Sequence, residues 1–147
     1  MGRHFGSVIL VDPAGRVLLQ ERDEHPEIDP ETWGFCGGHL EDDEAPLPGA
    51  LRELAEETGV VLDPASLRLI AEVPLDRGPH RDDRAWVYAA PTRLTDDDIV
   101  LGEGRRIVFV EPDVTPSLPL STLAGIVLPG FLESCAHAEL ARAASRG

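Results

Sequence analysis

The chain has 147 residues, with 27 acidic against 13 basic side chains and a formal charge of −14, which excludes electrostatic capture of long nucleic acid or of an anionic membrane surface. Two cysteines, Cys36 and Cys135, are too few for a disulfide framework or a cysteine zinc site. The length suits one domain spanning 1–147 with its own core, and the sequence has neither a long apolar run nor a basic-then-apolar leader, so a soluble, cytoplasmic protein is expected.

In chain order, Phe5 to Val11 is apolar and β-branched, and Asp12-Pro13-Ala14-Gly15 is a turn signal before Val17 to Leu19. Together they predict a hairpin. Gln20 to Pro30 is acidic and interrupted by proline, hence a loop. From Thr32 to Gly38 aromatics interleave with glycines, which predicts a short strand running into a tight turn. A helix follows, beginning near Pro46 or Pro48, since proline is tolerated in a first helical turn, and ending at Gly59, a natural left-handed cap. Gly49 weakens that helix by about 1 kcal/mol relative to alanine for no local reason. Beyond it, Leu67 to Val73 and Ala85 to Ala90 read as strands with a charged loop over 74–84 between them. Asp96 to Asp98 reads as a solvated loop without calcium-loop spacing. Gly102-Glu103-Gly104 is a flexible turn before a strand at Arg106 to Val110, and 122–144 predicts one or two helices interrupted near Pro129 and Gly130. Strands, one helix, more strands and terminal helices imply an α/β fold, a mixed sheet with helices on both faces.

The helix carries the densest chemistry. Glu53, Glu56 and Glu57 are spaced i, i+3 and i+4 and share one face, with Leu51, Leu54, Ala55 and Thr58 opposite. Like charges so placed repel by about 0.2–0.5 kcal/mol per pair. Two readings fit: a solvated acidic face, or a site for a hard divalent cation with oxygen ligands.

From Gly38 to Val60 the sequence resembles the signature of the Nudix hydrolases position by position: Gly38, then Glu44, then Arg52-Glu53-Leu54, Glu56-Glu57 and Gly59-Val60 occupy every specified place. The preceding hairpin, Trp33 before the double glycine and a terminal helix extend the likeness. The resemblance implies an α/β/α sandwich around a central mixed sheet. It implies Mg2+ or Mn2+ bound by Glu53, Glu56 and Glu57 with the Gly37 carbonyl nearby, and Glu103 as the further ligand or base that MutT-type members place in the equivalent loop. Arg52 would orient the carboxylates or form a structural ion pair. Glu44 would support the loop, and Glu41 is an outer ligand or merely exposed.

The reaction implied is hydrolysis of a diphosphate linkage in a nucleoside diphosphate joined to a further group, with Glu53 as first choice of base and Glu103 as second. Among such reactions, cleavage of a nucleoside triphosphate to monophosphate and pyrophosphate fits the segment 37–41 and the compact chain. A nucleotide-sugar or ADP-ribose pyrophosphatase and a non-catalytic nucleotide sensor are the alternatives. The partner implied is a small nucleotide, with Arg22, His39 and Phe35 as its contacts, and the family allows a homodimer. Phe5, Trp33, Phe35, Trp86 and Tyr88 are the aromatics available for base stacking, or for the core. Cys36 stands where the family commonly has proline. As a nucleophile it has only His39 as a neighbouring base in sequence.

Overall fold

A computed structural model describes residues 2–26, 28–77 and 80–146. The apolar run and its turn form the expected hairpin, β1 (His4–Val11) and β2 (Val17–Glu21), closed by the Asp12 carboxylate, which accepts from the Ala14 and Arg16 amides at 3.0 and 2.8 Å. The glycine-rich segment forms β3 (Trp33–Gly34) and β4 (Cys36–His39). The tight turn expected at Gly37 and Gly38 is therefore extended strand, fixed by pairing Cys36 to Val8 and Gly37 to Ser7.

Helix α1 (Pro46–Thr58) begins with proline at its first position, as expected, and ends on Gly59 at φ 76°, whose N–H bonds the Ala55 carbonyl at 2.9 Å. Gly49 now has a reason: a Cβ there would lie 2.3 Å from Leu40 Cδ2 and 2.9 Å from the Glu44 carboxyl group. The strands β5 (Arg68–Arg77) and β6 (His80–Pro91) run much farther than the sequence implied. Most of the loop expected over 74–84 is a paired ladder, Pro74 opposite Arg84 and Leu75 opposite Asp83, with residues 78 and 79 outside the described ones. Charged side chains on strands that leave one face in water disguise such a ladder.

The Asp96–Asp98 segment is a 3-10 turn rather than a free loop. Thr95 and Asp98 cap it, and Asp96 accepts from the Phe109 N–H at 2.8 Å along the edge of β7 (Arg106–Val110). The terminal helices are α2 (Thr122–Leu132) and α3 (Cys135–Arg146). The break falls at Glu133 and Ser134, not at Pro129, which α2 accommodates in its last turns.

The seven strands make one mixed sheet in the order β3-β2-β1-β6-β5, with β4 also on β1 and β7 on β2; β1 and β6 are parallel. Residues of β1 alternate between two cores. Val8 and Leu10 pack with Ala50 and Leu54 of α1, whereas Ile9 and Val11 pack with Val127, Leu128 and Phe131 of α2. This is the α/β/α sandwich expected. Among the described residues no helix is long and apolar enough to cross a membrane.

The strand β1 has two partners on one edge. Its C-terminal end pairs β2 at Val11 and Val17, and its N-terminal half pairs β4. The chain from Trp33 to His39 crosses from β2 to β1, and a cavity opens beside that crossing.

Candidate active site

The cavity, about 790 Å³, collects residues from distant parts of the chain: Arg3 just before β1, Phe5 and Ser7 of β1, Gln20 and Arg22, Phe35 and Gly37 to His39, Glu53 and Glu57 of α1, Leu75 of β5, and Glu103. Its volume is that of a cleft for a small organic ligand.

Helix α1 lies on one side of the sheet and Phe5 and Ser7 face the other, so two side-chain-free residues are needed to join them. A Cβ on Gly38 would sit 2.5 Å from Glu53 Oε2, and one on Gly37 would sit 2.5 Å from Ser7 Oγ and 2.2 Å from the Gly6 carbonyl oxygen. Each glycine is thus pressed against a cavity side chain. The Gly37 N–H donates to Glu57 Oε1 at 2.8 Å, tying strand to helix at the site.

The helix face differs from the simple amphipathic picture. Glu57 is only 4% exposed and belongs to the buried side of α1 with Ala50, Leu54 and Thr58, whereas Leu51 and Ala55 are only half-buried. Glu56 is exposed and does not line the cavity. Arg52 is the hub of the ridge: Nε and Nη2 donate to the Glu44 carboxylate at 2.7 and 2.8 Å, and Nη1 to Glu53 at 3.1 Å and Glu56 at 3.2 Å. The guanidinium holds the Glu44 carboxyl down to about 2. Glu44 also accepts from the Glu41 N–H, and the Glu41 side chain is exposed and outside the cavity.

Glu103 arrives from a loop riveted by main-chain bonds. The Val100 and Gly102 N–H groups cap the end of α1 through the Thr58 and Glu57 carbonyls at 2.9 and 2.8 Å. The buried Gln20 donates Nε2 to the Glu103 carbonyl at 3.0 Å, and the Arg105 N–H bonds the Glu21 carbonyl at 2.9 Å. Gly102 has no room for a side chain, a Cβ falling 2.3 Å from the Glu56 carbonyl oxygen, and Gly104 needs its positive φ of 83°. The turn that looked flexible in sequence is fixed.

Burial raises the Glu57 carboxyl to about 9, helped by its hydrogen bond and repulsion with Glu103 and by Glu53, and opposed by the Gly37 amide. Glu53 is also raised, first by burial. Without a cation, three carboxyl groups share one cleft and one of them keeps its proton at neutral pH. Among the described residues no three acidic, histidine or cysteine side chains close into a ready-made metal cage. The donor set suits a hard cation that keeps waters and binds through one or two carboxylates and substrate phosphates, as Mg2+ does, and not a tetrahedral zinc. Glu53, Glu57 and Glu103 would hold it.

Of the remaining expected contacts, His39 lines the cavity with its ring edge-on to Phe5 at 5.5 Å. Phe35 lines it too but is 7% exposed and packs into the α2 core. Arg22 lines it while committing Nε and Nη2 to the Asp29 and Ile28 carbonyls at 3.0 and 2.9 Å. Trp33 is core, under the Arg106 guanidinium; Tyr88 packs toward the α1 core and Trp86 against His4. Cys36 is fully buried, and burial together with the Glu57 charge pushes its thiol well up, the opposite of an activated nucleophile. Ser7, Gln20 and Leu75 escaped the sequence reading. Only Ser7 left a signal, a hydroxyl in phase with the buried Ile9 and Val11.

A family model described as the NUDIX domain matches residues 2–123. The chain belongs to the Nudix family. It is 46% identical over 56 residues to the bovine (Bos taurus) m7GpppN-mRNA hydrolase NUDT17, covering 38% of the chain and 18% of the relative. It is 36% identical over 83 residues to the RNA pyrophosphohydrolase of Dinoroseobacter shibae, covering 54% of the chain and 49% of the relative. The chain therefore spans half or less of the length of these curated relatives. The crystal structure of a MutT NUDIX hydrolase from Burkholderia pseudomallei superposes with a TM-score of 0.73 at 26% identity, over 88% of this chain and 97% of that one.

Proposed function

We propose that this protein cleaves a nucleoside triphosphate to the monophosphate and pyrophosphate with the help of Mg2+ or Mn2+. The observation that carries the reading is the convergence of Glu53, Glu57 and Glu103 on one nucleotide-sized cavity, with Glu57 raised to about 9 where no cation offsets it. A divalent cation held at these carboxylates would neutralise phosphate charge and acidify water. The protein's own part is then positional. Gly37 and Gly102 fix Glu57 and Glu103 through the main chain, and Arg52 holds Glu53 from outside the cavity. Glu53, which lines the cavity and is held by Arg52, is the carboxylate that takes a proton from the attacking water in this reading, with Glu103 as the second choice. The water oxygen bonds phosphorus as the bridging oxygen leaves with pyrophosphate.

Both curated relatives above bear names of RNA-directed activities, an m7GpppN-mRNA hydrolase and an RNA pyrophosphohydrolase. The charge of −14 favours the mononucleotide over an RNA end for this chain. A panel of nucleotides with product identification tests the reading. Pyrophosphate released from a triphosphate, lost with EDTA and restored by Mg2+ or Mn2+, is the expected result. A sugar phosphate released from a nucleotide sugar or ADP-ribose moves the assignment to that class. Tight nucleotide binding without turnover of any substrate makes the domain a sensor.

A further inference from the structure

Ser7 lies at the middle of β1, is 5% exposed and lines the cavity. Among the described residues no hydrogen bond reaches its hydroxyl, although its strand is paired on both sides, to Gly37 and to Val87. A buried hydroxyl without a partner carries the desolvation cost of the group with nothing to offset it, and buried polar groups are nearly always satisfied. The neighbouring positions of the same strand face, Ile9 and Val11, are apolar and fully buried, so packing alone calls for an aliphatic side chain here.

The surroundings define what could satisfy it. Phe5, Phe35 and Leu75 line the same cavity and Leu75 and Phe35 are buried, giving apolar walls around a polar floor. The hydroxyl also lies against Gly37, whose amide is bonded to Glu57. A ligand that fits must therefore present an apolar body with a hydrogen-bonding edge and must lie next to the carboxylates. A heterocyclic base joined to a phosphate has that shape, and a bare sugar phosphate lacks the apolar face.

We infer that Ser7 is the floor of the base subsite and reads a polar edge of the nucleobase of the substrate. This rests on the reading of the cavity as a nucleotide site. It adds a specificity residue that neither the signature helix nor the glutamate loop contains. Sites built to hydrogen-bond a substrate group discriminate strongly against ligands that lack it, because their own group is then left unpaired.

The test uses binding, so that it does not depend on turnover. The full chain and its Ser7→Ala variant are titrated in Mg2+ buffer with the four nucleoside 5′-monophosphates and with ribose 5-phosphate, followed by chemical-shift changes. The wild type should prefer at least one nucleotide to ribose 5-phosphate, and Ser7→Ala should weaken that nucleotide about tenfold while leaving ribose 5-phosphate unchanged. The ligand-free variant should melt at the same or a higher temperature, since it loses an unsatisfied group. Equal nucleotide affinity in the two proteins, a parallel loss for ribose 5-phosphate, no base preference in the wild type, or a lower melting temperature of the variant each overturns the inference. The hydrolysis panel separately decides the reading of the activity: a base preference lost in Ser7→Ala stands even if no substrate is turned over.

Discussion

The two walls of the cavity are built in different ways. On the carboxylate wall the anchors run mainly through main-chain groups: the Gly37 amide donates to Glu57, the Gly102 amide caps the end of α1 and the Gln20 side chain donates to the Glu103 carbonyl, with Arg52 adding a side-chain bond to Glu53. On the opposite wall the segment 22–32 is held largely by side chains. Arg22 grips the Ile28 and Asp29 carbonyls, Asp29 accepts from the Thr122 amide and hydroxyl at 2.9 and 3.0 Å, and Arg105 reaches Glu24 and Glu31 at 2.9 and 3.0 Å. Asp29 and Glu31 also sit at φ 49° and 58°, the left-handed region that non-glycine residues avoid. Main-chain anchoring leaves few degrees of freedom and suits chemistry. Side-chain anchoring tolerates exchange and suits selection among substrates.

The largest effect should come from the first wall. Glu57→Gln keeps the Gly37 bond acceptor and removes the charge, and kcat should fall roughly 10²–10⁴-fold, the range for loss of a positioned acid–base or charge-bearing group. Full activity in this variant would sink the metal assignment. The same residue sets a pH dependence. Its folded value of about 9 lies above the ordinary 4.5, so between those values the folded state binds more protons than the unfolded one. The contribution to stability is complete below about 4.5 and is lost as pH rises through about 9. Melting curves in EDTA should fall over that window, Glu57→Gln should flatten the fall, and added Mg2+ should stabilise most at the alkaline end.

Gly102→Ala is next. Its Cβ would meet the Glu56 carbonyl oxygen at 2.3 Å, so the backbone must shift and carry Glu103 away from Glu57. Overpacking of this kind costs about 1–3 kcal/mol, and kcat should drop more than tenfold with KM little changed. Asp29→Ala tests the other wall: it removes two hydrogen bonds to Thr122 and places alanine at a positive φ, for a stability loss of about 2 kcal/mol. Here KM should rise severalfold and kcat should hold. Matching kcat losses in these two variants would break the distinction between the walls.

The same distinction governs what could be read without coordinates. The glutamate ridge was legible because helical periodicity converts spacing into geometry, and the glycines because a signature fixes their places. Arg52 followed from its i, i+4 relation to Glu56. What periodicity cannot give is depth: Glu57 and Glu56 are adjacent in sequence, yet one is buried and the other exposed, because α1 is rotated so that its acidic edge meets β4. Glu103 was recognised by likeness alone, and the bonds that place it reach back to Gln20, Glu21 and Glu57. The clasp of Asp29 on Thr122 spans 93 positions and leaves no local trace. Long ladders under charged side chains, as in β5 and β6, were hidden for a related reason. Polar residues on a strand read as loop until their pairing partner is known.

The smallest effect sharpens the comparison from below. Arg105 has two roles, a main-chain bond to Glu21 that belongs to the carboxylate wall and side-chain ion pairs to Glu24 and Glu31 that belong to the other. Arg105→Ala removes only the second. Its guanidinium and both partners are well exposed, and pairs so placed contribute little to stability and weaken with salt. The melting temperature should therefore shift by no more than a few degrees, and the shift should shrink in high salt. Because the amide bond survives, Glu103 keeps its place and kcat should stay within about twofold. A kcat loss as large as that of Gly102→Ala would mean that the surface ion pairs, and not the main chain, position Glu103.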